Sequence, residues 1–222
     1  MKGGRGLLLL LALAMGFAWV GEQDTRPTGG SVDPLLASLD AMDAAKGREA
    51  LVALREQLAD DPASPRAGNP EGRIPVVVFF DYRCVYCRQL PPMLERLAAE
   101  NPDVRLVFKE WPIFRGISEV AARTALAADR QGAYWLMHQA LMAERPLTET
   151  SILATAERLG LDRQRLLSDR DDPSIAAQLR DTAELADALH LKGTPVIVVG
   201  DRVLRGLPGE NELREAVRAA AS

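Results

Sequence analysis

The chain of 222 residues has two cysteines, Cys84 and Cys87, and their spacing constrains it more than any other feature. They lie in Val-Phe-Phe-Asp-Tyr-Arg-Cys-Val-Tyr-Cys-Arg, Val78 to Arg88, where an apolar run gives way to a helix-like run from Arg88 to Ala99. Three residues apart at a helix start, the two sulfurs fall on one edge and can reach each other. Unpaired N–H groups and the positive end of the helix dipole favour a thiolate on the first cysteine. That thiolate is the nucleophile of disulfide exchange. Two other readings compete. A purely structural bridge would close so short a loop that it removes little entropy from the unfolded chain. Half of a zinc site would need a second Cys or His pair at ligand spacing, whereas His138 and His190 stand alone. Spacing and strand-to-helix context favour a redox pair.

The length fits one domain with additions. A formal charge of −4 without a basic run argues against nucleic acid as a partner. Residues 1–18 read as a signal peptide. Lys2 and Arg5 form its positive start, Leu7 to Val20 is an apolar run too short for a membrane span, and Gly16-Phe17-Ala18 places small residues for cleavage after Ala18. An uncleaved anchor is the competing reading. Either sends the body out of the cytoplasm, where disulfides persist.

Residues 19–32 read as a tether. Asp33-Pro34 then opens a helical extension over 33–61, in which Leu35, Leu39 and Met42, and after Lys46-Gly47 also Leu51, Leu54 and Leu58, step by three and four. This stripe serves either its own domain or a second subunit. The Pro- and Gly-rich stretch 62–72 reads as a linker that lets the extension stand away, which favours a homo-oligomer through residues 33–61. Ile74 to Phe80 is suited to a buried central strand. The helix after the cysteines carries Pro91-Pro92, which predicts a kink. Val104 to Phe108 follows as a second, parallel strand ending in Lys109-Glu110-Trp111-Pro112. From Ser118 to Leu191 the pattern predicts helix after helix, with breaks and starts at Leu161-Asp162-Arg163 and Asp171-Asp172-Pro173. Gly193-Thr194-Pro195 then opens a β-hairpin, and a last helix closes the chain.

This order, with Phe79 to Cys87, Val107 to Pro112 and Gly193-Thr194-Pro195 as its specific parts, resembles the DsbA family of exported thioredoxin-fold thiol:disulfide oxidoreductases. The extension ahead of Pro62 resembles the ScsC-like branch. The resemblance implies an α/β thioredoxin-like domain over 73–222 with a helical insertion at about 116–191, and a periplasmic location. It implies an exposed nucleophile at Cys84, a buried resolving thiol at Cys87 and a cis proline at Pro195 facing the pair. Thr194, Val85 and Tyr86 would meet the substrate. No cofactor or metal is implied. The partners would be unfolded or misbridged secreted proteins and a membrane redox partner.

Two departures modify this. Many relatives carry a carboxylate six residues before the first cysteine, where Val78 stands here. Lys109 or Glu110 is then a candidate for tuning, and strand alternation lets only one of them face the site; the competing reading makes each a solvated charge. Strongly oxidising relatives carry a His where Tyr86 stands, so a milder oxidant is expected, leaning to isomerase or reductase. From a different class, the same cysteines would suit a soft metal such as Cu(I) in a metal-binding or metal-stress protein.

Overall fold

The computed structural model describes residue 46 and residues 49–222; the leader, the tether and most of the extension ahead of residue 49 lie outside the described residues. Five strands form one sheet: β1 (Arg66–Gly68), β2 (Ile74–Phe80), β3 (Val104–Glu110), β4 (Val196–Val199) and β5 (Arg202–Arg205), in the order β1-β3-β2-β4-β5. β2 and β3 run parallel from Ile74 opposite Val104 to Phe80 opposite Glu110, and every other pairing is antiparallel. Helix α1 (Leu90–Glu100) makes the crossover between them. Between β3 and β4 come α2 (Ile117–Asp129), α3 (Tyr134–Ala143), α4 (Glu149–Arg158), α5 (Arg163–Arg170) and α6 (Pro173–Ala188); α7 (Glu210–Ala220) closes the chain. This is the thioredoxin-like sheet with a helical insertion that the family resemblance implies.

The apolar run of β2 is buried on both faces, and alternation sorts it. Val76, Val78 and Phe80 join Leu106, Phe108 and the apolar faces of α1, α3 and α7 in one core, which also contains Tyr82, Cys84 and Cys87. Val77, Phe79 and Val107 join Val196, Val198 and Leu185 in a second core on the opposite face.

Three expectations are corrected. The stretch 62–72 is not a free linker. Arg66–Gly68 pairs with β3 as an edge strand, and a side chain at Gly72 would run into the backbone of Asp103 to Arg105. Nor do residues 49–60 stand away: Leu51, Leu58 and Ala59 are buried in the second core, and Glu56–Asp60 is a π-helical turn. Pro91 and Pro92 do not kink a helix. The cysteine turn runs into a 3₁₀ turn over Cys87–Gln89, and the prolines sit in the first turn of α1, where a missing N–H costs nothing. The insertion includes α5, which begins at the break and start read at Leu161-Asp162-Arg163, with the Asp162 side chain accepting from the Arg165 N–H at 2.8 Å as its N-cap.

Lys109 fastens the stretch before β1. It lies in the second core, 2% exposed, and its Nζ donates to Asp61 Oδ2 at 3.0 Å, Ser64 Oγ at 2.7 Å and the Gln57 carbonyl. Burial lowers the pKa of this ammonium, and Asp61 opposes that effect. Truncation would leave a half-shielded Asp61 carboxylate and two polar groups without their donor. Lys109→Ala is expected to lose about 2–3 kcal/mol in urea unfolding and to expose residues 49–61 to proteolysis; an unchanged unfolding midpoint would show that the ammonium does not fasten this segment.

Candidate active site

The site sits at the carboxyl ends of β2 and β3. Asp81 ends β2 and organises the turn that follows. Its carboxylate accepts from the N–H of Arg83 at 2.7 Å, the N–H of Phe114 at 3.0 Å and the Ser118 hydroxyl at 2.8 Å, while its carbonyl accepts from the Cys84 N–H at 3.1 Å. One buried residue thus joins the cysteine turn, the loop after β3 and the start of α2. The Cys84 carbonyl accepts from the Arg88 N–H at 3.2 Å and closes the turn.

Cys84 and Cys87 are free thiols on neighbouring turns. Cys84 is not the exposed group expected from the sequence: it is 5% exposed, whereas Val85 and Tyr86 between the cysteines are 63% and 57% exposed. The cover is the Thr194-Pro195 segment. The Thr194–Pro195 peptide bond is cis, and Cys84 Sγ donates to the Thr194 carbonyl at 3.3 Å. Thr194 Oγ1 is buried without a well-formed hydrogen bond. Cys87 is fully buried at the start of the 3₁₀ turn. Burial pushes its thiol pKa up strongly, with the Thr194 hydroxyl and the Asp81 backbone opposing.

Val78 is 1% exposed and pairs with Ile197 and Phe108, so no carboxylate stands at that position beneath the cysteines. Lys109 faces the opposite core and takes no part in the site. Glu110 is on the cysteine side, 2% exposed, but its hydrogen bonds go to Tyr82 and Tyr134 rather than to either sulfur. Neither is a solvated charge. Burial raises the Glu110 pKa well above the usual carboxylate range, against the bonds from the two tyrosines. His138, also buried, is held neutral, its pKa lowered by burial to about 3. The sequence assigned no role in the site to Asp81, Tyr82, Arg88 or Tyr134, and weighed His138 only as a lone metal ligand. The i, i+4 spacing of Tyr134 and His138 on one helix face was the available signal. Among the described residues, no group of three or more His, Cys, Asp or Glu could hold a metal ion, and no helix is long and apolar enough to cross a membrane.

A reduced-capable cysteine pair at the end of a thioredoxin-like sheet, facing a cis proline, defines the class of thioredoxin-fold dithiol proteins. The model of the DSBA-like thioredoxin domain matches residues 75–218, and the chain belongs to that family. It is 42% identical to a thioredoxin-like oxidoreductase from Silicibacter pomeroyi DSS-3, with a TM-score of 0.73 over 75% of this chain and 97% of that one. A linker-deletion mutant of Proteus mirabilis ScsC is similar at 28% identity and a TM-score of 0.76, covering 84% and 87% of the two chains. The thiol:disulfide interchange protein DsbA of Bordetella pertussis is 30% identical over 146 residues, 63% of this chain and 69% of that protein. The Na(+)/H(+) antiporter NhaA 1 of Salinispora arenicola is 31% identical over 185 residues, 79% of this chain. The chain spans only 28% of that antiporter's length.

The buried Cys87 thiol yields a pH test. A raised pKa keeps the group protonated near neutrality, so its thiolate fraction grows about tenfold per pH unit. With Cys84 loaded as a mixed disulfide to glutathione, the rate at which Cys87 displaces glutathione should climb steadily from about pH 6 to 9 without levelling. A plateau below about pH 8 in stopped-flow records would contradict a thiol held up by burial.

Proposed function

We propose that the chain is a periplasmic thiol:disulfide oxidoreductase acting on secreted proteins through Cys84 and Cys87. The observation that carries this reading is the Cys84 thiol held against the Thr194 carbonyl beside a cis Pro195, with Cys87 buried next to it. In the reductive direction the Cys84 thiolate attacks one sulfur of a substrate disulfide. That S–S bond breaks, a mixed disulfide forms, and the other substrate sulfur leaves as a thiolate. Cys87, once deprotonated, attacks Cys84; the second substrate thiol departs and the protein holds the Cys84–Cys87 disulfide. Two electrons have passed to the substrate, and a membrane redox partner restores the dithiol. The oxidative direction is the reverse. Val85 and Tyr86, both exposed, flank the reacting sulfur as substrate contacts, with the Thr194 backbone opposite.

Isomerase or reductase work fits better than primary oxidation. Tyr86 stands beside Cys87 and offers no cation to stabilise a thiolate, which makes for a milder oxidant. A Cys87→Ala variant should accumulate mixed disulfides with secreted proteins through Cys84, and the wild type should rescue a scrambled multi-disulfide substrate. Fast oxidation of reduced substrate without rescue would leave an oxidase; failure to trap any partner would remove the exchange reading altogether.

The oligomer belongs to the same proposal, with its seat narrowed. Leu51 and Leu58 are used within the domain, which leaves Leu35, Leu39 and Met42 for a second subunit. Deleting residues 19–48 should yield a monomer by light scattering with the domain's unfolding midpoint kept. An unchanged mass would refute assembly through this stripe.

A further inference from the structure

A buried polar chain lies behind the Cys84 turn, and the exchange chemistry leaves it without a task. Tyr82, two residues before Cys84, is 1% exposed, and its hydroxyl donates to Glu110 Oε1 at 2.8 Å. Tyr134 of α3 donates to the same oxygen at 2.9 Å. His138 Nδ1 lies 3.2 Å from the Tyr82 hydroxyl oxygen. Tyr82 has one proton, and Glu110 receives it, so the chain closes when His138 Nδ1 carries a hydrogen and donates to Tyr82. Phe80, Phe108 and Trp135 pack around the imidazole, with Trp135 stacked on it at 5.5 Å between ring centroids.

The other polar end of Tyr82 is tied as well. Its carbonyl accepts from Arg88 Nε at 2.6 Å, and Arg88 Nη1 donates to the Glu144 carbonyl at 2.9 Å, at the carboxyl end of α3. A cation there also complements the helix dipole. The residue leading into the redox turn is therefore fastened to α3 at both ends, by way of Glu110 on one side and Arg88 on the other. Glu110 Oε2 is buried without a hydrogen-bond partner among the described residues. An apolar cluster would fill this space without that cost, and a buried polar atom left unsatisfied calls for a reason other than stability.

We propose that Tyr82 and Glu110 are positioning residues for the dithiol, through which the helical insertion sets the balance between its reduced and disulfide forms. This rests on the redox reading of Cys84 and Cys87. Joining the sulfurs requires an S–S distance of about 2.05 Å and a fixed torsion. The turn carrying Cys84 must meet that geometry while held at Tyr82. A clamp that suits one form better than the other shifts the equilibrium in which protein disulfide and two glutathione thiols give protein dithiol and glutathione disulfide. Linkage makes the effect reciprocal: the factor by which a variant moves this constant equals the factor by which it destabilises one form more than the other. Burial disfavours a charged Glu110, so glutamine, neutral and of the same shape, is its closest stand-in.

The test equilibrates the full chain with glutathione buffers, counts free thiols after acid quenching, and unfolds both redox forms in urea. Tyr82→Phe removes one hydroxyl and should move the equilibrium constant by about fivefold, the scale of one buried hydrogen bond. The stability gap between the two forms should change by the same factor. Glu110→Ala should move the constant in the same sense, and Glu110→Gln should restore it to within about twofold of wild type. Tyr82→Phe remains informative if Glu110→Ala does not fold. Equal destabilisation of both forms with an unmoved constant would make the cluster purely structural and overturn the proposal. A Glu110→Gln shift as large as that of Glu110→Ala would overturn the assignment of Glu110. A wild-type pair that never exchanges with glutathione would sink the redox reading and this proposal with it, whereas an exchanging wild type with an unmoved Tyr82→Phe would sink this proposal alone.

Discussion

The contact between Cys84 Sγ and the Thr194 carbonyl joins segments 110 residues apart, and the site exists only because the sheet brings them together. β2 and β4 are antiparallel neighbours, with Phe79 opposite Val196, so the end of one strand meets the beginning of the other at the same edge. The cysteine turn follows β2 and the cis proline precedes β4. The crossover, β3 and the whole helical insertion lie between them in the chain. The same register explains why Cys84 is covered. A segment close enough to receive its S–H also screens it from water, leaving Val85 and Tyr86 as the exposed edge of the turn.

Alternation along β3 divides the next layer of chemistry. Lys109 and Glu110 are adjacent, and a two-residue repeat sends them to opposite cores. Lys109 finds an anion and two oxygens and becomes a fastener for the stretch before β1. Glu110 finds two phenols and, among the described residues, no cation, so burial disfavours its charged form and it serves as an acceptor. One residue's shift in register would exchange these roles, leaving an unpaired ammonium behind the cysteines and a carboxylate beside Asp61. Both environments are therefore strong constraints on the pairing of β2 with β3.

Much of this was legible in the chain. The β-branched run of Ile74 to Phe80 and the cysteines that follow it predicted the central strand and the turn after it, because each signal is local; the facing proline came only with the family resemblance, since Gly-Thr-Pro ahead of Val196 reads locally as an ordinary strand start. The failures share a cause. A stripe such as Leu51 and Leu58 looks the same whether it will meet another subunit or the back of its own sheet, and the difference is made by a strand of only three residues, Arg66–Gly68, too short to carry a pattern. Pro91-Pro92 reads as a kink only if the helix begins at the cysteines. The structure begins it at Leu90, where the prolines fit. Burial of Cys84, and the meeting of Tyr82 with Glu110 across 28 residues, depend on tertiary neighbours that no local window contains.

The absent carboxylate at Val78 sharpens what the site must do. A fully buried Cys87 with a raised pKa has no carboxylate at that position to take its proton, and Glu110 does not reach it. The Thr194 hydroxyl and the Asp81 backbone oppose the upward shift, but desolvation outweighs them. The proposed exchange is then limited by making the resolving thiolate, and the mixed disulfide on Cys84 persists for longer. In the oxidative direction Cys87 is instead the leaving thiol, and a raised pKa makes it leave slowly. For rearrangement a long-lived mixed disulfide is an advantage, because the substrate's own thiols gain time to attack and leave with a different pairing. The burial of Cys87 and the residue at Tyr86 thus bear on the same proposal, that isomerase or reductase work suits this dithiol better than primary oxidation.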